Sequence, residues 1–381
     1  MKETPDLILM NQLDELAAFE PTGYPFISLY LNLQPDQHGR DNFESFVRKE
    51  FKAKAKAFPA DSLELVSFRR DQARIESYLR NDIRPSANGL AIFACAGAND
   101  YFKAVQLTAP LKRHDLHVHE RPHLYPLARV IDQYPRYVAL LADTNSARLF
   151  VFGLGKILGK EEMQHVKLTR TQTGGWSQMR YQRHVDNFHL QHAKEVVEVL
   201  DRVVREETVE HIILAGDEVI IPLLREQLPD RLSEKVIDVL RLDIKTPEHE
   251  VLQATMDSLR EHNLHTDAEK VRQLFDEYRA GGLAVVTWKD TVTAIERGQV
   301  DELLLSASAR EIRTNEQEFD DSAVEKHVSD APPDADTESS LRPADLLVTL
   351  ARQTGARVTF IEDTALLSSV GGVGAMLRYQ I

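Results

Sequence analysis

Gly174 and Gly175 stand at the head of the stretch of this chain most able to do chemistry, TRTQTGGWSQMRYQRHVDNFHLQHAKEVVEVLDRVV, residues 169–204. They close a turn-prone segment, Thr171–Gly175, where the missing Cβ opens backbone conformations that side chains forbid. Arg180, Arg183, His184, His189, His192 and Lys194 follow, with only Asp186 against them, and Lys167 and Arg170 extend the basic run upstream. On a chain of formal net charge -14 this is a local reversal of sign. A glycine-tipped loop ahead of a basic helix can bring a small backbone-lined site against a polyanion. The same residues would also serve as an ordinary surface loop leading into an amphipathic helix.

The elements that must position this stretch are read from periodicity. Val196, Val197, Leu200, Val203 and Val204 have the spacing of one buried helix face. Ahead of them, 137–142 and 147–153 read as strands about the turn Asp143-Thr144-Asn145, with a third strand expected over 162–168. Behind them come a buried strand at 211–215, short helices at 220–227 and 231–236, a strand at 239–242 and a charged helix over 246–277. Antiparallel strands followed by alternating β and α segments make 131–278 an α/β domain.

Residues 1–130 read as a mixed α/β domain: a strand at 26–33, a basic helix at 40–58, a helix at 63–79, and paired strands at 90–94 and 101–107. Residues 279–381 read as a third, with strands at 283–286, 300–305 and 357–361 and helices at 289–297 and 342–353. An acidic, apolar-poor segment at 314–340 interrupts it and reads as a flexible insert. The expected fold class is therefore α/β (α+β), three consecutive mixed domains without a sequence repeat.

Composition narrows the function. With 43% hydrophobic and 28% charged residues the chain can bury sizeable cores. No apolar run is long enough to cross a membrane and the N-terminus lacks the order of a signal peptide, so a cytoplasmic location without membrane association is expected. The one cysteine, Cys95, set in LAIFACAG, rules out an internal disulfide framework or a multi-Cys zinc site and reads as a core residue. His114, His117, His119 and His123 lack a supporting cysteine or carboxylate constellation; exposed or domain-junction histidines are expected there, with no metal and no cofactor.

Several motifs carry a family resemblance. The tail Val370-Gly371-Gly372-Val373-Gly374-Ala375-Met376-Leu377-Arg378-Tyr379 resembles the FGGIGGILRY end of eukaryotic and archaeal class 1 polypeptide release factors and Pelota. Residues 289–301, KDTVTAIERGQVD, resemble their EDTLKALEMGAVE stretch; 211–216 resemble the LVLAG strand, and 88–94 the NGLVVY strand. Gly174-Gly175-Trp176-Ser177-Gln178-Met179-Arg180-Tyr181 lies over the GGQSALRF loop. The chain is thereby similar to the bacterial branch of these release-factor-like proteins along nearly its whole length. The resemblance implies a third domain like kink-turn-binding ribosomal proteins, binding to ribosomal RNA and tRNA, and a translational GTPase partner for that third domain.

In that family the loop enters the peptidyl transferase centre and promotes hydrolysis of the peptide–tRNA ester. Glycines permit close approach, and an amide donor positions water and stabilises the oxyanion. Carried over, Gly174, Gly175 and Gln178 are the candidate catalytic residues. Trp176, Arg180, Arg183 and Lys194 are the candidate RNA contacts, the arginines toward phosphate. Aligned without a gap, the family's glutamine falls on Trp176, and Gln178 comes two residues later. The first domain has no stop-codon-reading motif such as NIKS. Two readings stay open: a release or rescue factor that hydrolyses peptidyl-tRNA, and a non-catalytic factor that occupies idle or hibernating ribosomes.

Overall fold

The computed structural model describes residues 5–34, 43–164, 177–314 and 337–379; of 5–7, 164, 177–186 and 337–342 it describes the backbone alone. Of the acidic insert expected over 314–340, residues 315–336 lie outside the described residues, and a helix has already begun at Thr337. Two compact units divide the chain: residues 1–133 together with 264–381, and residues 134–263.

In the first unit, α1 (Pro5–Ala17) precedes β1 (Phe26–Asn32), α2 (Phe43–Lys54), α3 (Leu63–Asn81), β2 (Gly89–Cys95), β3 (Tyr101–Leu107), β4 (Asp115–His119) and α4 (Tyr125–Gln133). The basic helix expected over 40–58 is shorter, because its last residues tighten into a 3-10 turn at Ala55–Ala57 that leads to Pro59. The sheet is antiparallel throughout, in the order β3-β2-β1-β4, and β1 is buried along almost its whole length. Alternation along β1 explains why two faces must be covered. Ile27, Leu29 and Leu31 pack with Val47, Phe51, Phe68 and Ile75 of α2 and α3. The intervening positions, Ser28 and Tyr30, face the segment that enters α4. Cys95 is fully buried in β2, as its apolar setting implies.

The second unit holds β5 (Tyr137–Ala142), β6 (Ser146–Gly153), β7 (Lys156–Gln164), α5 (Ser177–Glu206), β8 (His211–Gly216), α6 (Ile220–Gln227), α7 (Asp230–Ser233) and β9 (Val236–Leu240). Its sheet runs β7-β6-β5-β8-β9, with β5, β8 and β9 parallel and β6 and β7 antiparallel. The third strand therefore begins at Lys156, six residues before the expected 162. A tight turn at Leu154 (φ 50°) and Gly155 (φ 75°), both left-handed as a type I′ hairpin requires, closes β6 onto β7. Leucine at the first left-handed position hides that turn from a reading that looks for Asn-Gly. The strand expected at 239–242 is likewise early, at 236–240, because α7 is one turn long and Val236 already pairs with Ile212.

α8 (Glu248–Arg279) follows; its residues divide between the units after Asn263. The C-terminal part of the first unit comprises β10 (Ala284–Val286), α9 (Trp288–Glu296), β11 (Val300–Ser306), α10 (Thr337–Gln353), β12 (Arg357–Ile361) and β13 (Val373–Leu377). The sheet order is β10-β13-β11-β12, and β11 and β12 are its parallel pair. The glycine-rich tail has a structural reason. Gly371 (φ 73°) and Gly372 (φ 77°) turn the chain into β13, and a Cβ on Gly372 would meet the Glu311 carbonyl oxygen at 2.7 Å. Strand β12 lies at the sheet edge, where unpaired N–H groups invite foreign strands. Here the Phe360 N–H donates to Asp132 Oδ2 of α4 (3.0 Å) and the Glu362 N–H to Asp267 Oδ2 of α8 (3.2 Å). Burial pushes the Asp132 carboxyl up to about 7.

Within this unit one carboxylate joins the N-terminal and C-terminal parts. Asp345 of α10 accepts at Oδ1 from the N–H groups of Leu124 (2.9 Å) and Tyr125 (3.0 Å), donors at the start of α4 that have no partner within the helix. Its Oδ2 lies 2.6 Å from His123 Nδ1. His123 is fully engaged: its N–H donates to Ser28 Oγ (3.0 Å) and its carbonyl accepts from the Tyr30 hydroxyl. Tyr125 donates to the Ser306 carbonyl (2.7 Å), and Arg352 pairs with Asp14 (2.7 Å). Burial alone would pull the His123 imidazole down, but the charge and hydrogen bond of Asp345, with Asp115 behind them, raise it above 6.5.

A raised histidine adds stability that is fully present below its unfolded value and lost as pH rises through the native value. Asp345→Ala should cost about 3–5 kcal/mol, the scale of breaking a buried ionic pair. Asp345→Asn keeps an acceptor for the two helix N–H groups, so it should cost less and flatten the pH dependence above about pH 6.5. Urea denaturation of the three proteins between pH 5 and 9 measures both effects.

Candidate functional site

The basic stretch folds as expected into a helix, and the structure shows what anchors it. α5 has 30 residues, about 45 Å at 1.5 Å per residue. Ala193, Val196, Val197, Leu200, Val203 and Val204 are buried against the sheet core of the second unit, among them Val138, Leu140, Ile212 and Leu214. The described side chains just before this stripe, Asn187 to Gln191, are exposed or half-buried. Arg202 of α5 pairs with Glu161 of β7 at 2.7 Å, so the two elements flanking 165–176 are tied to each other as well as to the core.

The candidate residues divide three ways. Lys194 is exposed, one position off the apolar stripe. Gln178, Arg180 and Arg183 lie on α5, Gln178 in its first turn. Gly174, Gly175 and Trp176 lie outside the described residues. At 100° per residue, positions 180, 183 and 194 fall within about 60° of one another and about 120° from the centre of the buried stripe. The three positions thus share one side of the helix by angle, and Lys194, whose side chain is described, is exposed. His192 does not join them: it is 1% exposed and packs at the head of the stripe, four residues before Val196. Counting it in the basic run ignored that its position carries the apolar periodicity.

The histidines at 114–123 are built into the first unit. His117 and His123 are buried, with ring centroids 4.8 Å apart, and His123 forms the junction with Asp345. Burial, with the charge of His123 second, lowers His117 to about 4. No group of three or more metal-ligating side chains occurs among the described residues. Nor is any described helix long and apolar enough to cross a membrane.

A second concavity, of about 470 Å³, lies in the first unit beside this junction. Lys112, Arg113, Arg129 and Arg310 line it, residues that no motif singled out because they are scattered over two hundred positions and meet only in three dimensions.

These features define a protein of three successive mixed α/β regions, the middle one carrying a Gly-Gly segment ahead of a long, partly basic helix. Residues 122–260 match the family described as Bacterial archaeo-eukaryotic release factor family 10, and residues 264–381 match eRF1 domain 3. The two matches adjoin, so the central and C-terminal parts of the chain are both of the archaeo-eukaryotic release-factor type. Solved structures similar to it include archaeal translation termination factor aRF1, at 16% identity over 99% of each chain with a TM-score of 0.28. Another is Dom34 of S. cerevisiae, a translation termination-like factor, at 10% identity over 77% of this chain and 79% of that one, with a TM-score of 0.42. An archaeal Pelota, described as ribosome-bound, has 15% identity over 98% and 94% of the two chains and a TM-score of 0.41.

The packing of α5 separates scaffold from surface. Leu200→Ala, which empties a fully buried position, should destabilise the second unit by about 2–5 kcal/mol. Lys194→Glu should change stability by no more than about 0.5 kcal/mol. Denaturant unfolding of the two variants, followed by circular dichroism, checks both values.

Proposed function

We propose that this chain is a cytoplasmic ribosome-associated factor that promotes hydrolysis of the peptidyl-tRNA ester, with Gly174, Gly175 and Gln178 at the reacting ester. The observation that carries the reading is the junction of sequence and scaffold in the second unit. The Gly-Gly segment immediately precedes a long helix whose later half is locked to the sheet core. Its positions 180, 183 and 194 share one basic face off that core. Such a helix is a rigid arm. Its cations engage RNA phosphates, which supply most of the affinity without sequence readout, and its N-terminal end delivers the glycines. At the ester, glycine backbone N–H groups and the Gln178 amide would orient water and stabilise the developing oxyanion. Trp176 would stack on a nucleotide base. No carboxylate pair or metal is required by this chemistry. The C-terminal part, which matches eRF1 domain 3, would dock a translational GTPase.

One observation favours the second reading, a factor that occupies idle ribosomes without releasing peptide. Trp176 takes the position of the family's glutamine, and Gln178 comes two residues later, in the first turn of α5. An indole at the ester would block the centre rather than position water.

Ribosome binding should weaken as salt rises, with each lost phosphate contact lowering the slope of log K against log salt by about 0.7–0.9. A triple variant, Arg180→Glu, Arg183→Glu and Lys194→Glu, should stay folded and lose most ribosome affinity in sedimentation at graded salt. Unchanged affinity would put the binding surface elsewhere.

Single-turnover peptide release on programmed ribosomes separates the two readings. Gly175→Ala should abolish release while leaving ribosome binding nearly intact. Gln178→Ala should slow release on the order of ten- to a thousandfold, the scale of one lost preorganised donor. Trp176→Ala should act on docking, by about 1–3 kcal/mol. Wild-type protein that binds ribosomes but releases no peptide from any of them would establish the non-catalytic reading.

A further inference from the structure

The cavity of about 470 Å³ in the first unit has the construction of a ligand site, and its described lining comes from elements other than α5. Its size falls within the roughly 300–1,000 Å³ of small-molecule pockets. One wall comes from the loop between β3 and β4 and from α4; the other comes from Ala307–Arg310 and from Glu362 and Thr364. These last segments leave the carboxyl ends of β11 and β12, the parallel pair joined through α10. In open α/β sheets that crevice is where ligands bind, because the chain diverges there and leaves backbone and loop side chains facing a gap.

The lining decides the chemistry of the ligand. Four cationic side chains, Lys112, Arg113, Arg129 and Arg310, stand against two carboxylates, Asp115 and Glu362, on a chain that is acidic overall. Glu362 is already engaged by Arg129, whose Nη2 contacts both oxygens at 2.8 and 2.9 Å, and Lys112 lies 3.9 Å from it. Asp115 lies 3.6 Å from Arg113 and 4.0 Å from His123 Nε2, and His123 is itself held toward its charged form. Cationic capacity is therefore left over. Arg310 is exposed and pairs with no described residue, and Arg129 Nε is buried with no hydrogen-bond partner. A buried donor left unsatisfied is costly, and a ligand oxygen would relieve it. Between the charges, Pro110, Leu111, Pro126 and Val130 supply an apolar wall.

We propose that this cleft binds a small organophosphate of mononucleotide size, its phosphate held by Arg113 and Arg310 with Lys112 beside them, and its ring system against the apolar wall. Arginine suits the role because its planar fork meets phosphate oxygens in pairs. The bound molecule would bridge the N-terminal and C-terminal parts of the first unit, next to the Asp345 junction. Ligand that binds the folded protein alone also raises its stability by mass action.

Isothermal titration calorimetry of the full chain with ADP, GDP, AMP and inorganic phosphate tests this. At least one nucleotide should bind with a dissociation constant of about 10–100 µM, and phosphate at least about tenfold more weakly. Arg113→Ala and Arg310→Ala should each weaken the nucleotide about tenfold, and Arg310→Glu should remove measurable binding. Both arginines are solvent-facing, so the variants should keep the wild-type melting temperature in the absence of ligand, and circular dichroism verifies it. The proposal is overturned if no nucleotide binds at about 1 mM, if the arginine variants bind as wild type does, or if phosphate alone binds as tightly as any nucleotide. Binding of a short single-stranded RNA with none of the mononucleotides would assign the cleft to a polynucleotide backbone instead and would equally overturn it. Peptide release is no part of the readout, so the outcome is independent of the function proposed for the Gly-Gly segment.

Discussion

A single carboxylate, that of Asp345, organises the larger unit. It receives two backbone N–H groups at the start of α4 and the Nδ1 of a buried histidine, all from a segment more than two hundred residues earlier in the chain. A helix N-terminus buried without an acceptor would be expensive, and so would an imidazole cut off from water. Each solves the other's problem only if an acid arrives from elsewhere, and α10 delivers it. Once that contact forms, His123 is held between β1 and α10, and Tyr125 reaches the carbonyl at the end of β11. The N-terminal and C-terminal parts of the chain, each with its own sheet, are thereby joined in one compact unit.

The same economy recurs at the edge of the C-terminal sheet. Strand β12 would expose its outer N–H groups, and Asp132 and Asp267 accept two of them. Both carboxyls are pushed up by burial, Asp132 to about 7. An acid held partly protonated near neutral pH is an unfavourable residue for the native state, so its retention fits a role in blocking the edge rather than in adding stability. The cleft opens next to this edge, and two of its cations, Arg129 and Lys112, reach Glu362 across the two parts.

The second unit solves a different problem. α5 divides its length between a part anchored in the core and a part ahead of it. From residue 193 onward it supplies a core stripe to a five-stranded sheet, while the positions of its cations avoid that stripe. Arg202 pins it to β7, the strand that leads into the Gly-Gly segment. Burial and charge are thus separated around the helix axis as well as along it, which lets the surface vary without disturbing the core.

Much of this was legible in the residues. The 3.6-residue spacing of Val196, Val197, Leu200, Val203 and Val204 specified the buried face of α5, and the run at 89–95 specified a core strand with its cysteine. Local periodicity suffices there because the burial of one face is written in neighbouring positions. Gly174, Gly175, Gln178, Arg180, Arg183 and Lys194 are candidates by resemblance and charge alone, again from one short stretch. Where the turn broke the usual chemistry, at Leu154-Gly155, the strand boundary slipped, since a leucine with positive φ is chosen by hairpin geometry and not by its own preference. His192 was read as basic surface and is core, because a histidine's role depends on which face its helix buries. Tertiary structure alone decided the pairing of His123 with Asp345, the capping of β12 by Asp132 and Asp267, and the gathering of Arg113, Arg129 and Arg310 around one cavity. Each joins groups far apart in the chain, and no spacing rule records a contact that exists only because the intervening chain has folded.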